Sequence, residues 1–487
     1  MKLFLRGHSF RYEAENIVRM FYFDVEVQEC AATKEERDTV LYYALLYRSG
    51  KNDRTLMAAV RDGEIMVGNS TRLLEGTAEE DAERQMAVML FDLLVTVTGK
   101  RPEWGIITGV RPAKFVKKLI YGGMTDIEVE EKLRYDYRVT RNKARLAIET
   151  SHVSEAAEKK NNRDSYSLYI SIPFCPSRCE YCSFVSKTIE KEHKLVEPYL
   201  DGLIRELAVI SELARLHDLR LETIYVGGGT PTVLTVEQLR LLLAAVLENF
   251  PIHSVLEYTV EAGRPDTITL DKLVLLRDYG VTRVSINPQS FNDEVLHLIG
   301  RRHTANDVKE AFALARIAGF KDINADLIAG LRGDNIAGFK NSIEALLALE
   351  PEEVTVHALT LKRASRMREK DPYFSPDAAA MVDFAYGELT ERGYRPYYMY
   401  KQKGTVDSLE NVGYGKPGFE GMYNIFIMDE MHSILSAGAG GVTKLRNPGN
   451  DRIERIFNYK YPLEYINGFD EIINRKEGIN RFYENFI

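Results

Sequence analysis

The sequence predicts an α/β protein whose core is a partial barrel of six β-α units, with an N-terminal α/β accessory domain and a C-terminal α+β extension. Two observations carry this prediction. Six short β-rich runs between residues 168 and 357 are each followed by a helical pattern. Polar or reactive residues stand at or just after the end of each run, where the active sites of β/α barrels lie. An open doubly wound sheet is the alternative that the same alternation allows.

Helix-capping residues support the division of this region into units. Thr235 with Gln238 forms a capping box, and Thr304 predicts the start of a helix that ends at Gly319. Ser375 followed by Pro376 predicts another helix start. The six β-rich runs are residues 168–172, 223–226, 257–261, 282–286, 323–328 and 353–357.

The first 160 residues carry a different pattern and no catalytic motif. Strands are predicted at 2–5, 40–47 and 55–60, and helical stretches at 79–97 and 126–156. The polar segment 158–164 has no apolar residue and predicts a linker. We therefore expect an accessory domain at 1–115, a helical connector at 116–165, the partial barrel at 166–372 and a substrate-side region at 373–487.

Composition excludes several classes of protein. The chain has 487 residues, 45% of them hydrophobic, and a net charge of −8, which argues against a protein that coats nucleic acid. Its most continuous apolar stretch, 86–99, is shorter than the ~20 residues that cross a bilayer. The expectation is a soluble, cytoplasmic protein that binds neither nucleic acid nor membrane.

The cysteines carry the strongest chemical signal. Of four, Cys175, Cys179 and Cys182 fall within eight residues, and Cys30 stands alone. This scarcity indicates a reducing compartment rather than a disulfide framework. Three thiolates are one short of a closed zinc site and suit a metal centre with one open position, such as a [4Fe-4S] cluster. The alternatives are a structural zinc with a fourth ligand from elsewhere, or simple packing of small thiols.

The C-x3-C-x2-C spacing, with Tyr181 before the last cysteine, resembles the radical S-adenosylmethionine (radical SAM) enzymes. The resemblance implies a [4Fe-4S] cluster whose free iron binds the amino and carboxylate groups of S-adenosylmethionine. A reducing electron then cleaves this cofactor to methionine and a 5′-deoxyadenosyl radical. It also implies a six-unit partial barrel, in agreement with the pattern of runs.

Further motifs resemble the oxygen-independent coproporphyrinogen III oxidase (dehydrogenase) family. They are Tyr169-Ile-Ser-Ile-Pro-Phe-Cys175, Gly-Gly-Gly-Thr-Pro-Thr at 227–232, Asn287-Pro-Gln-Ser-Phe-Asn292, Ile299-Gly-Arg-Arg-His-Thr304 and Asn324-Ala-Asp-Leu-Ile-Ala-Gly-Leu331. The stretches 107–112 and 410–420 resemble its HemZ-type branch. The glycine-rich stretch 436–441 resembles the family's C-terminal region, and its glycines predict either a close backbone approach or a plain turn.

The resemblance implies roles for individual residues, and the chemistry of each residue suits its role. Tyr169 would lie near the methionine end of the cofactor as a catalytic residue. The implied cofactor-binding residues are Gly227, Gly228 and Gly229 at the amino group, Glu261 as its anionic partner, Gln289 and Asp326 at the ribose hydroxyls, Arg301 at the carboxylate, and Thr230. His357 ends the sixth run and is more often a structural histidine than a functional one.

Two positions depart from the decarboxylating branch of the family, which carries a histidine and a further cysteine there. This chain has Ser171 and Phe184 instead, and both positions concern substrate chemistry more than cofactor binding. The expected activity is oxidative decarboxylation of coproporphyrinogen III propionates to vinyls. A haem chaperone and a radical methyltransferase acting on haem are the alternatives.

The resemblance implies partners as well as cofactors. They are a tetrapyrrole substrate, an electron donor of the flavodoxin or ferredoxin type and an unidentified electron acceptor. A basic rim for the substrate carboxylates is predicted from Arg392, Arg395, Lys401 and Lys403, which also fit an ordinary charged helix end.

Overall fold

The computed structural model describes residues 2–6, 10–22, 25–28, 42–48, 54–62, 65–182, 187–360, 375–402, 408–447, 449–450 and 452–485. The chain forms two compact units. One comprises 1–151 together with 399–410, and the other comprises 152–398 together with 411–487. The fourfold division expected from the sequence stays a prediction.

The described part of the first unit contains a five-stranded mixed sheet in the order β2-β1-β3-β4-β5. β1 is parallel to β2 and β3, whereas β3, β4 and β5 run antiparallel to one another. The strands are β1 Lys2–Arg6, β2 Glu26–Gln28, β3 Tyr42–Arg48, β4 Arg54–Asp62 and β5 Ile65–Arg72. The three strands predicted here are thus confirmed as β1, β3 and β4.

Helices α1 and α2 cover this sheet, and their apolar faces join it in one buried core that includes Leu3, Ile17 and Phe91. The helical stretch predicted at 126–156 is divided in two, because Arg138 takes a left-handed backbone conformation (φ 61°) that no helix continues through. The helices are α1 Arg11–Phe21, α2 Glu79–Thr98, α3 Pro112–Tyr121, α4 Asp126–Asp136 and α5 Arg141–Glu158.

The second unit is built on an eleven-stranded sheet within the described residues, in the order β14-β15-β13-β12-β11-β10-β9-β6-β16-β17-β18. A short parallel pair, β7 and β8, stands apart from it. The strands are β6 Ser165–Ile172, β7 Phe174–Cys175, β8 Lys187–Thr188, β9 Arg220–Gly228, β10 Glu257–Gly263, β11 Arg283–Ile286, β12 Asp322–Ala329, β13 Glu353–Ala358, β14 Arg395–Lys401, β15 Glu410–Gly415, β16 Ser433–Ala437, β17 Val442–Arg446 and β18 Ile453–Phe457.

The six predicted strands are β6 and β9 to β13, and they lie side by side in chain order, all parallel. A doubly wound sheet reverses its strand order at a switch point, and this sheet does not reverse between β6 and β13. The C-terminal strands extend both edges: β15 pairs antiparallel with β13, and β16 pairs parallel with β6. The partial barrel is therefore the correct choice between the two predicted architectures.

Helices separate the parallel strands. The predicted capping box of Thr235 and Gln238 is present at α8, and Thr304 caps α11. The predicted start at Ser375 is wrong, because α13 begins three residues later with Asp377 at its N-cap. The helices are α6 Ile189–Glu192, α7 Val196–Leu216, α8 Val236–Asn249, α9 Leu270–Asp278, α10 Asp293–Leu298, α11 Ala305–Ile317, α12 Ile336–Leu347, α13 Ala378–Glu391, α14 Met422–Asp429, α15 Pro462–Asn467 and α16 Phe469–Glu484. None of the helices described is long and apolar enough to span a membrane.

Candidate functional site

The three clustered cysteines lie in the loop that leaves β6, the first strand of the parallel series. Cys175 ends β7, which pairs with β8, and the Glu180 N–H donates to the Ile299 carbonyl oxygen (3.1 Å). None of the three cysteines forms a disulfide within the described residues, and Cys179 is buried. The loop is thus fastened at both ends to neighbouring segments of the barrel.

Two polar side chains donate to these sulfurs. The Thr230 hydroxyl lies 3.6 Å from the Cys175 sulfur, and the Arg264 guanidinium lies 3.6 Å from the Cys179 sulfur and 3.1 Å from the Ser177 hydroxyl. Such donors stabilise thiolates and orient metal ligands. Arg264 follows β10 directly, and its role was missed because a cation after a strand carries no sequence signal for a sulfur partner.

The sulfur ligands fit a cluster better than a single ion. Within the described ranges, no three His, Cys, Asp or Glu side chains stand close enough together to hold one metal ion. A cluster of four irons and four sulfides spaces its protein ligands more widely, and three thiolates leave one of its irons open. Cys175, Cys179 and Cys182 are therefore the residues that would hold a [4Fe-4S] cluster.

The three glycines at the end of β9, Gly227 to Gly229, are required by the protein's own packing. A Cβ on Gly227 would lie 2.9 Å from the Tyr225 ring and 3.0 Å from the Glu261 carboxylate. Gly228 has φ +103°, and a Cβ on Gly229 would lie 2.4 Å from the Phe174 carbonyl oxygen. This crowding explains the glycines without a ligand, so their predicted contact with the cofactor amino group stays a prediction.

Glu261 lies near the end of β10 and accepts two hydrogen bonds. The Tyr225 hydroxyl donates to Oε1 (2.6 Å), and the Gly228 N–H also donates to the carboxylate. Burial raises the pKa of Glu261 to about 7, because the tyrosine and glycine donors only partly offset the desolvation. A cation that entered this site would favour the ionised carboxylate.

Gln289 and Asp326 lie next to each other across β11 and β12. The Gln289 N–H donates to the Asp326 carbonyl oxygen (2.9 Å), and Gln289 takes a left-handed conformation (φ 70°). The Asp326 carboxylate accepts from Asn324 (2.8 Å) and lies 3.6 Å from His357 Nε2. Burial raises the pKa of Asp326, whereas His357 and the hydrogen bond from Asn324 lower it. The lowering effects are larger, so the pKa lies below its usual value. His357 thus has an anionic neighbour at the strand ends.

Arg301 is buried and already bound to protein atoms. Its guanidinium donates to the Asn287 carbonyl oxygen (2.7 Å) and to the Tyr181 hydroxyl (3.1 Å). Arg301 therefore joins the exit of β11 to the tyrosine of the cysteine motif. A guanidinium has five N–H donors, so these two bonds leave capacity for a carboxylate.

Three tyrosine rings stack beside Glu261. Tyr169 of β6, Tyr225 of β9 and Tyr423 of α14 have ring centroids 4.5 to 6.3 Å apart and planes within 22° of parallel. They help to exclude water from Glu261. Sequence reasoning missed Tyr423, since nothing local to it indicates a partner about two hundred residues away.

Ser171, the residue in place of the family's histidine, is buried at the end of β6. Its hydroxyl donates to the Ala439 carbonyl oxygen (2.8 Å), and the Tyr199 hydroxyl donates to the Ser171 carbonyl oxygen (2.7 Å). Gly438 has φ +92°, and a Cβ there would lie 2.6 Å from the Ser171 carbonyl oxygen. The glycine-rich stretch 436–441 therefore packs closely on protein backbone.

The predicted basic rim does not form as expected. Lys401 is buried in the first unit, where its ammonium donates to the Ile107 carbonyl oxygen (2.5 Å) and burial lowers its pKa to about 7. Arg392 forms an ion pair with Glu388 (2.9 Å), in keeping with a charged helix end. Lys403, Phe184 and Cys30 lie outside the described residues.

Comparisons with known proteins agree with this geometry. Residues 169–346 match the Radical SAM superfamily. The chain is 36% identical over 474 residues to the oxygen-independent coproporphyrinogen-III oxidase-like protein HemZ of Bacillus subtilis, covering 95% of this chain and 94% of that protein. The chain belongs to the HemZ-type, coproporphyrinogen oxidase-like radical SAM family.

Two further relatives mark the breadth of this family. The heme chaperone HemW of Bacillus subtilis is 32% identical over 283 residues, which cover 56% of this chain and 70% of that protein. The structure of coproporphyrinogen III oxidase HemN from Escherichia coli matches with a TM-score of 0.52 at 23% identity, covering 66% of this chain and 72% of that chain, and shows the shared fold. The cofactors of this radical SAM chain are a [4Fe-4S] cluster and S-adenosylmethionine.

Proposed function

We propose that this chain catalyses the oxygen-independent oxidative decarboxylation of coproporphyrinogen III, which converts two propionate side chains to vinyls and yields protoporphyrinogen IX. The observation that carries the proposal is a series of six consecutive parallel strands whose carboxyl-end region holds Glu261, Gln289 and Asp326, with a three-cysteine loop after the first strand. The substrate class is supported by a relative named for coproporphyrinogen-III oxidase that matches nearly the whole chain.

Each round removes one hydrogen atom from the β-carbon of a propionate, releases its carboxylate as CO2 and passes one electron to an external acceptor. The product is a vinyl group, and two rounds complete the conversion. When bound, the cluster and S-adenosylmethionine supply the radical chemistry that takes the hydrogen atom.

We assign the protein's own groups to binding and orientation. Ionised Glu261 would pair with the cationic amino group of S-adenosylmethionine, and the free N–H groups of Arg301 with its carboxylate. Gln289 and Asp326 would accept from the ribose hydroxyls. Tyr169, at the edge of the tyrosine stack, would lie near the methionine end.

The second candidate is a haem chaperone, and one observation favours it. Ser171 occupies the position of a histidine in the decarboxylating branch, and its hydroxyl already donates to Ala439. This side chain therefore cannot supply an imidazole's proton chemistry to a substrate. A HemW chaperone also matches more than half of the chain.

The two candidates separate in one anaerobic experiment. Reconstituted protein is incubated with coproporphyrinogen III, S-adenosylmethionine, dithionite and an electron acceptor, and CO2 and protoporphyrin fluorescence are followed. We expect both products to accumulate beyond one equivalent per protein, and to be absent from Cys179→Ala. If the protein instead binds one equivalent of haem tightly and forms neither product, the decarboxylation proposal is wrong and the chaperone function is favoured.

A further inference from the structure

A cationic cavity lies on the outer side of the cysteine loop. It has a volume of about 540 Å³ and is lined by the loop residues Pro176 to Arg178, by β8 and α6, and by the turn at 300–302. Among the cofactor-binding residues predicted from the sequence, Arg301 alone lines it within the described chain. The cavity is therefore largely separate from the strand-end site, and Arg301 is the residue that the two share.

The charge of this cavity is opposite to that of the whole chain. Its lining holds five cationic side chains and two carboxylates, a net charge of +3, whereas the chain carries −8. The cationic residues are Arg178, Lys187, Lys191, Arg301 and Arg302, and the carboxylates are Glu190 and Glu192. A local positive field on an acidic protein steers anionic partners to one place.

Two ion pairs in this lining lie at the solvent-exposed surface. Arg302 and Glu190 form a pair of 2.7 Å, but their side chains are 60% and 59% exposed. The pair between Lys187 and Glu192 is longer, at 3.7 Å, and also solvent-exposed. Exposed pairs of this kind contribute little and exchange readily for the carboxylates of a partner.

The cavity is one layer of backbone away from the cysteines. Thr188, in its lining, is the register partner of Cys175 in the β7–β8 pair. A Cβ on Gly300, also in the lining, would lie 3.8 Å from the Cys179 Cα. An electron that entered at this surface would start next to the loop that carries the cysteines.

We propose that the cationic cavity is the docking surface for an acidic electron-donor protein of the flavodoxin or ferredoxin type. The inference rests on the cluster that the family assignment and the proposed function place at the cysteines. In the step, the donor is oxidised by one electron and the cluster is reduced by one. Complexes of this kind are small and weak, and a shallow charged depression suits them better than a large apolar face.

The test compares two doubly substituted proteins with the same net charge. Lys191→Glu with Arg302→Glu reverses two cations of the cavity, and Lys309→Glu with Arg240→Glu reverses two exposed cations on α11 and α8. Reduced flavodoxin is the protein probe, and dithionite is a small reductant that needs no docking. Flavodoxin affinity is measured by calorimetry, and cluster reduction by the anaerobic loss of absorbance near 400 nm.

We expect the cavity variant to lose at least tenfold in flavodoxin affinity and in the flavodoxin-driven reduction rate at low salt. The loss should shrink in 0.5 M salt, where charges are screened over a few ångströms. Reduction by dithionite should stay at the wild-type rate, and the control variant should match the wild type in both assays.

If the cavity and control variants showed equal flavodoxin affinity and equal reduction rates, the proposal that the cavity is a docking surface would be wrong. A loss with dithionite as well would also overturn it, because the substitutions would then act on the cluster itself. If dithionite reduces no cluster in the wild-type protein, the proposed function is wrong. The docking proposal, which rests on that cluster, is then wrong as well.

Discussion

Acidic side chains lie at both ends of the parallel strands, buried at the amino ends and partly exposed at the carboxyl ends, and the two groups differ in how they are paired. At the amino ends, Arg283 donates to Glu353 (2.6 Å) and to Glu257 (3.4 Å), and the Tyr397 hydroxyl donates to Glu353 (2.5 Å). At the carboxyl ends, no lysine or arginine in the described chain forms an ion pair with Glu261 or Asp326; only His357 does so, with Asp326.

This difference separates a structural network from a binding site. Removing the cation of a buried ion pair leaves an uncompensated buried carboxylate and destabilises the fold, whereas a carboxylate without a protein cation keeps a capacity for a charged ligand. Active sites of β/α barrels lie at the carboxyl ends, and the amino ends serve stability. Substitutions at the amino ends should therefore act on stability, and substitutions at the carboxyl ends on the binding of cluster and cofactor.

The largest effect on stability is expected at the amino ends. Arg283→Met leaves Glu353 and Glu257 buried without their cation, so the free energy of unfolding should fall by about 3–5 kcal/mol. Urea denaturation followed by circular dichroism measures the change. Arg302→Gln is the matched control, because it breaks an exposed pair and should leave the midpoint unchanged. Equal midpoints for the two variants would show that the network does not stabilise the fold.

The next largest effect is expected on iron binding when Arg264, which donates to the Cys179 sulfur, is replaced. Arg264→Met removes this donor, and changes next to metal ligands cost about 10–100-fold in metal affinity or activity. Iron retained by anaerobically reconstituted protein under chelator challenge measures the loss. Arg264→Lys keeps the charge without the planar fork and should retain more iron than the methionine variant. If Arg264→Met retained as much iron as the wild type, Arg264 would have no role in holding the cluster.

The smallest effect is expected at Glu261. Glu261→Gln removes the anionic partner assigned to the S-adenosylmethionine amino group, and its affinity should fall by about tenfold, since a hydrogen bond to a charged group contributes about 1.5–3 kcal/mol. The wild-type affinity should also rise as the pH increases through about 7, where Glu261 ionises, and the variant should lack this rise. An identical pH profile in both proteins would contradict the assignment.

The Glu261 carboxylate also makes the free energy of unfolding depend on pH, and its pKa shift determines the direction of this dependence. The pKa of Glu261 is about 7 in the folded chain against a reference value of 4.5. Between these values the folded chain holds a proton that the unfolded chain releases, so this contribution to stability falls as the pH rises from about 4.5 to about 7. Urea denaturation at pH 5 and pH 7.5 should show this decrease in the wild type and a smaller one in Glu261→Gln.

The strand-end residues could be predicted because the rule that places them is local. Parallel strands in sequence order bring their carboxyl ends to one edge, so the positions of Glu261 at the end of its β-rich run, Gln289 after its run and Asp326 within its run were enough to place them. Tyr423 and Lys401 could not be placed in this way. Each owes its position to a contact with a residue far away in the sequence, Tyr225 for one and Ile107 for the other.

The reason for the glycines was also beyond the sequence. Gly227 and Gly229 match a cofactor-binding motif, yet the atoms that would crowd their Cβ positions belong to Glu261 and Phe174. The motif identifies the glycines, but the structure is needed to show that packing against neighbouring residues excludes a larger side chain.

The most direct test is the reductive cleavage of S-adenosylmethionine by the anaerobically reconstituted protein, with 5′-deoxyadenosine measured by mass spectrometry. Wild-type protein and Cys30→Ala should both form it with dithionite, and Cys179→Ala should form none and lack the iron-sulfur absorbance near 400 nm. A wild-type protein with a full complement of iron and sulfide that forms no 5′-deoxyadenosine, with or without tetrapyrrole, would contradict the account.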